Sequence, residues 1–294
     1  MTDLISSTII ICGIVRNAEK GLINNIPIIN SLCEYFVDYK VIIYENDSLD
    51  RTKELLLEWQ NKNPEKIHVS INNTDAAQTI PSTVSVNSNP FFSRKRIEKM
   101  VTLRNKYMEY IDKRGWEADY LMVVDLDVAQ LNLQGILSSF KAKYEWDAVT
   151  AFGYSTSPKL KRRYHDTYAL TLWNDKTPQT ENKIKKLSDK LGKLKSTDDW
   201  VRVDSAFGGL AIYNYSAIKG IKYQILGNED KRVEVKCEHY SIYSQMRERG
   251  YNHFYINPSM IIKYQDLTLS IIWKSLKFLI LDKYKQCLNI KNNN

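Results

Sequence analysis

Asp125 and Asp127 close the run Tyr120-Leu121-Met122-Val123-Val124-Asp125-Leu126-Asp127, in which four apolar residues lead into two carboxylates one residue apart. Leu121 to Val124 read as a strand buried on both faces, as in the interior of a parallel sheet. Carboxylates at the end of such a strand are costly unless something offsets their desolvation. The carboxyl ends of strands are also where open α/β sheets bind ligands. If the chain stays extended the two side chains point the same way, and oxygen ligands suit Mg2+ or Mn2+, which would in turn hold a diphosphate. An acidic, solvated turn is the other reading that this tripeptide leaves open.

Several further polar groups stand where a site would draw on them. Arg16 and Asn17 follow the apolar run Thr8–Val15, and Glu45-Asn46-Asp47-Ser48 follows Val41–Tyr44. Arg104 and Asn105 sit inside a helical pattern from Arg94 to Lys113. Asp204 precedes the pair Gly208-Gly209, which either lets backbone approach a ligand closely or marks a bulge. Glu238 and His239 fall at the start of a helix expected over Lys236–Arg249 and ended by Gly250.

The elements that must position these residues alternate. Strands are predicted at 8–15, 41–44, 67–71, 121–124 and 148–151, with helices at 19–35, 52–61, 94–113 and 134–143 between them. Pro27 argues for a helix start just before it, and Asp50 is placed to cap the second helix. Residues 72–93 read as a long loop. Strands alternating with helices, three of them ending in polar residues, predict a doubly wound, mostly parallel α/β sheet with flanking helices. There is no GxGxxG after the first strand and no GxxxxGK[ST], which counts against a dinucleotide-binding oxidoreductase and a P-loop NTPase.

The chain has 294 residues, a formal charge of +8 and 26% charged residues, enough length for a sizeable core and a balance that favours an anionic partner. Much of that excess is local, in the lysines between Lys183 and Lys195, where a solvated helix face is the plain reading. Cys12, Cys33, Cys237 and Cys287 have no CxxC spacing and read as core residues, not as a zinc site or disulfide framework. The N-terminus lacks the basic start and apolar run of a signal peptide, so the expected location is cytoplasmic. Leu267–Leu288 predicts an amphipathic C-terminal helix too interrupted by lysines to span a bilayer. It would either pack or lie on the inner face of an anionic membrane.

Taken in order, Arg16-Asn17, Glu45-Asn46-Asp47-Ser48, Arg104-Asn105, Asp125-x-Asp127, Gly208-Gly209 and Glu238-His239 resemble a GT-A glycosyltransferase. Within that superfamily the chain is most similar to the fungal capsule-associated mannosyltransferase-like group, because of the Arg-Asn helix upstream of the Asp-x-Asp. The resemblance spans about Thr8 to Tyr264. It implies a nucleotide-sugar half over 1–153, an acceptor half over 154–264, and the C-terminal helix and polar tail beyond. It further implies that Arg16, Asn17, Glu45 and Asp47 line the nucleotide. Arg104 would lie near the diphosphate or sugar, Asp127 would bind Mn2+ or Mg2+, and Asp125 would hold ribose or the metal.

In many inverting members a Glu-Asp pair opens the last of these helices, whereas here the second residue is His. Glu238 as base with His239 on the metal or a phosphate, and His239 as the base itself, both follow from that incomplete match. Asp204 would face the acceptor. The expected activity is metal-dependent transfer from a UDP- or GDP-sugar to a glycan or lipid-linked glycan. An anionic membrane and a second copy of the chain are further partners. A sugar nucleotidyltransferase and a basic nucleic-acid-binding protein are the competing functions, and neither has its expected signature in this sequence.

Overall fold

The computed structural model describes residues 4–72, 92–157, 160–230, 232–266, 269 and 272–281. The predicted loop therefore lies almost wholly outside the described residues, as do Cys287 and much of the predicted C-terminal helix. The strands are β1 (Thr8–Val15), β2 (Asp38–Asn46), β3 (Ile67–Asn72), β4 (Tyr120–Val124), β5 (Ala148–Thr156), β6 (Arg162–Tyr164), β7 (Thr171–Leu172), β8 (Val201–Ser205), β9 (Leu210–Asn214) and β10 (Phe254–Lys263). The helices are α1 (Glu19–Cys33), α2 (Thr52–Lys62), α3 (Arg94–Arg114), α4 (Leu133–Phe140), α5 (Glu181–Leu191), α6 (Tyr215–Ile218) and α7 (Glu238–Glu248).

These strands form one sheet in the order β3-β2-β1-β4-β9-β5-β10-β8-β7, with β6 on β5. β3, β2, β1 and β4 run parallel, and β9 is antiparallel to both its neighbours β4 and β5. Because successive strand residues face opposite ways, the sheet has two cores. Ile9, Ile11, Met122 and Val124 pack with Leu22 and Ile29 of α1, Leu56 and Trp59 of α2, and Ile136 and Phe140 of α4. Ile10, Cys12, Leu121 and Val123 pack on the other face with Tyr107 and Ile111 of α3 and with Ile242 and Met246 of α7. A doubly wound sheet with helices on both faces is what the sequence pattern predicts.

Three local expectations are corrected. α1 starts at Glu19 and runs through Pro27. Pro27 and Ile23, whose carbonyl loses its partner, both lie on the exposed side of the helix, where water satisfies that group. β10 continues through Pro258 as one strand, absorbing the missing N–H in a bulge between Asn257 and Ile261. α7 begins at Glu238, so Glu238 and His239 occupy its first turn. Asp50 does act at a helix start, accepting from the Thr52 N–H at 3.1 Å, and it also accepts from the Glu19 N–H of α1 at 3.1 Å. The lysine-rich segment is α5, whose Ile184, Leu187 and Leu191 are buried while Lys185, Lys186 and Lys190 are exposed.

Candidate active site

β4 delivers its carboxylates to a turn that α1 holds in place. Gly21 sits so close to this turn that a Cβ there would clash with the Leu126 carbonyl and come within 2.9 Å of the Asp127 Cα. Only glycine lets the helix approach this far. One turn on, the buried amide of Asn25 donates to the Val128 carbonyl at 2.8 Å and accepts from the Leu131 N–H at 2.9 Å. Asp125 itself donates its N–H to the Gly209 carbonyl at 2.9 Å. Gly208 and Gly209 have φ of 63° and 90°, and they are glycine because β5 and Tyr264 crowd them. The close approach expected of this pair is to protein backbone and the Tyr264 ring.

Above this turn lies a cavity of about 350 Å3. Arg16 comes to it from the end of β1 and Asn46 from the end of β2. α3 supplies Arg96, Lys99 and Arg104, and α7 supplies Glu238 and His239. The Arg104 side chain is only 3% exposed; its Nε donates to Glu238 at 3.0 Å, and its Nη2 lies 3.6 Å from Asp125. Its Nη1 is buried without a hydrogen-bond partner among the described residues, as is the Nε of Arg16.

Asp125 is half-buried, its side chain 22% exposed, and Asp127 is exposed at the cavity mouth. Burial raises the pKa of each; Arg104 opposes this at both, and for Asp125 the Asp127 charge adds to the rise. Burial also works against ionisation of Glu238, but the charge of His239, were it protonated, and that of Arg104 pull it the other way. His239 is held neutral by burial and by Arg104, so Arg104 is what keeps Glu238 ionised. The His239 ring stacks on Phe207 with centroids 3.8 Å apart, and neither of its nitrogens finds a hydrogen-bond partner.

The structure thus brings Arg16, Arg104, Asp125, Asp127, Glu238 and His239 to one cavity and leaves four expected residues outside its lining. Asn17 joins loops: its N–H donates to Ser48 Oγ at 2.9 Å, and its side chain accepts from the Leu49 N–H at 2.8 Å. Glu45 is fully buried and accepts from the Ser48 N–H at 2.5 Å. Asp47 takes a left-handed backbone, φ 55°, in the same turn. Asp204 lines a different cavity. Among the described residues no three His, Cys, Asp or Glu side chains converge as a metal cage. Two carboxylates alone still suit a hard cation that takes its other ligands from a diphosphate and water.

Sequence reasoning missed the strand-to-loop segment His165-Asp166. Asp166 lines the cavity from a left-handed backbone, φ 62°, and burial together with the Glu238 charge pushes its carboxyl up to about 7. His165 stacks on Tyr264 at 3.5 Å, and burial pushes it down to about 4. The positive φ and the cavity position come from tertiary packing; only the Tyr-His-Asp composition was visible in the sequence.

Residues 8–244, most of the chain, match the family described as Cryptococcal mannosyltransferase 1. The chain belongs to that family. It is a family of glycosyltransferases. No curated protein matches the sequence. Solved structures similar to it include a mannosyltransferase from Pyrobaculum calidifontis in complex with GDP-Man and Mn2+ (10% identity, 88% of this chain, 56% of that chain, TM-score 0.48). Others are S. aureus TarS 1-349 with UDP-GlcNAc (14% identity, 87% and 57%, TM-score 0.43) and GalNAc-T7 with UDP, GalNAc and Mn2+ (10%, 90% and 44%, TM-score 0.45). The chain spans a little over half the length of the first of these. No helix among the described residues is long and apolar enough to cross a membrane.

Proposed function

We propose that the protein transfers a sugar from a UDP- or GDP-sugar to a glycan or lipid-linked glycan, with Mn2+ or Mg2+ held at Asp127 and Asp125. The observation that carries this reading is the carboxylate pair at the end of β4, facing a cavity that the Arg104 guanidinium also lines. Burial raises the pKa of both carboxylates, so the site favours a cation, which would restore their ionised form. When bound, such a cation offsets the charge that develops on the departing diphosphate.

The chain's own residues account for the rest. Arg16 and Arg104 both line the cavity, and their guanidinium charge would draw phosphate oxygens there. Arg96 and Lys99 add positive charge at the cavity wall. Glu238 and His239 were the expected bases, and the geometry favours neither. Glu238 is engaged by Arg104, and His239 is stacked and buried, so both hold Arg104 and the Phe207 wall in place. Asp166 lines the cavity and is the carboxylate that would take the proton of the incoming hydroxyl. The helical segment 272–281 leaves Trp273 70% exposed and Ile280 69% exposed, which supports peripheral contact with an anionic membrane carrying a lipid-linked acceptor. A screen of UDP- and GDP-sugars with Mn2+, reading nucleotide release, tests the donor part of this reading.

A further inference from the structure

A second cavity, of about 470 Å3, shares α7 with the first. Glu238 and His239 line the first cavity, whereas Lys236, Tyr240 and Arg247 line the second. The function proposed above makes no use of it. Four separate parts of the chain converge there: the stretch from β7 to α5, the end of β8, the turn at Gly227, and α7.

Its walls are tied together before any ligand arrives. Asn174 adopts φ 60° and donates its N–H to Asp204 Oδ2 at 3.1 Å. Arg247 Nη1 donates to the Asp204 carbonyl at 2.5 Å. Asn228 joins two loops, donating to the Gln179 carbonyl at 2.8 Å and accepting from its N–H at 3.2 Å. Asp175 pairs with Lys183 at 2.7 Å. Such pre-organisation lowers the ordering cost that a binding site would otherwise pay on association.

The lining also narrows the ligand. It holds three carboxylates, three cations and three side-chain amides together with the rings of Trp173 and Tyr240. Charge is balanced, so the cavity lacks the excess of cations that an anion requires, and its walls are too polar for a lipid chain. Cations lie against both rings: the Arg202 guanidinium is 3.7 Å from the Trp173 centroid, and the Lys236 ammonium and the Arg247 guanidinium are 3.9 and 5.4 Å from that of Tyr240. Donors and acceptors in equal measure beside aromatic rings suit a neutral polyhydroxyl ligand.

We propose that this second cavity binds a neutral oligosaccharide, the part of the acceptor glycan that lies away from the reacting sugar. The acceptor role rests on the transfer reading of the first cavity; the saccharide site does not. The test is isothermal calorimetry with linear neutral hexasaccharides of glucose and of mannose on the full chain.

At least one hexasaccharide should bind with Kd of about 1 mM or tighter, and saturating GDP or UDP with Mn2+ should not displace it. Trp173→Ala and Tyr240→Ala should each weaken it about tenfold or more, with Trp173→Phe, which keeps a ring, retaining most of the affinity. Absence of binding by every hexasaccharide, displacement by nucleotide, affinity unchanged in Trp173→Ala and Tyr240→Ala, or binding of inorganic phosphate in place of sugar would each overturn the inference. Donor turnover without saccharide binding would overturn this site alone. Saccharide binding without any donor turnover would overturn the acceptor role and the transfer reading, and leave the saccharide site standing.

Discussion

Arg104 donates its Nε–H to the carboxylate of Glu238 at 3.0 Å, joining α3 to the first turn of α7 across 134 residues of sequence. Both side chains are almost fully buried, at 3% and 4% exposure. The pair fixes the guanidinium between Asp125 and Glu238. Breaking one side of a buried pair strands the other charge.

Glu238→Gln should therefore cost stability, about 3–5 kcal/mol, as expected for removing one partner of a buried ion pair. Urea denaturation of the variant and the parent measures this directly. Unchanged stability with lost turnover would instead return Glu238 to the role of base.

Asp166→Asn should lower transfer about a hundredfold, as misplacement of a reacting group does, while leaving donor binding intact. Only the ionised carboxylate can take the proton of the incoming hydroxyl, and burial pushes Asp166 up to about 7. The parent's rate should rise with pH through about 7, and that limb should vanish in the variant. A variant with the parent's pH profile would remove Asp166 from the site.

Stability of the metal-free protein should fall as pH rises from about 5 toward 7. Asp166 and Asp125 are raised above the ordinary carboxylate range, so across that window the native state keeps protons that the unfolded chain has released. Where the native state binds more protons, stability declines with pH. Glu238 is lowered to about 2; its contribution is complete above about pH 5 and is lost progressively as pH falls from there toward 2, so the decline is read between about 5 and 7, where Glu238 no longer changes. Mn2+ at pH 7.5 should raise the melting temperature, and more than it does at pH 5. A pH-independent melting temperature that Mn2+ leaves unmoved would contradict the carboxylate arrangement.

Much of this was legible in the sequence because it is local. Apolar β-branched runs that end in polar residues gave β1, β2 and β4, and the ends of β1 and β4 brought Arg16, Asp125 and Asp127 to one cavity. The apolar spacing of α3 gave its buried face, on which Arg104 lies. What was not legible depends on contacts between distant segments. Asn17 and Glu45 were expected to line the nucleotide, and the structure shows each joined to the turn around Ser48 and outside the lining of the first cavity. Asp204 lies on β8, and the antiparallel pairing of β8 with β10 and β7 carries it to the second cavity. Asp166 had no spacing signal, because its place is set by a left-handed residue after the three-residue strand β6.

The apolar residues of the segment 272–281 make a separate prediction. Full-length protein should float with liposomes containing anionic lipid at low salt, and a chain ending at Asp266 should not. Full-length protein that stays in the pellet would set the membrane contact aside.

The central claim is that the carboxylates closing β4 hold a divalent cation for sugar transfer from a nucleoside-diphosphate donor. The most direct test is nucleotide release from UDP- and GDP-sugars, measured with Mn2+, with EDTA, and with Asp127→Ala. Mn2+ should support release from at least one donor; EDTA should abolish it, and Asp127→Ala should lower it at least about a hundredfold, the scale of losing one element of charge stabilisation. Release that persists in EDTA and in Asp127→Ala would contradict the account.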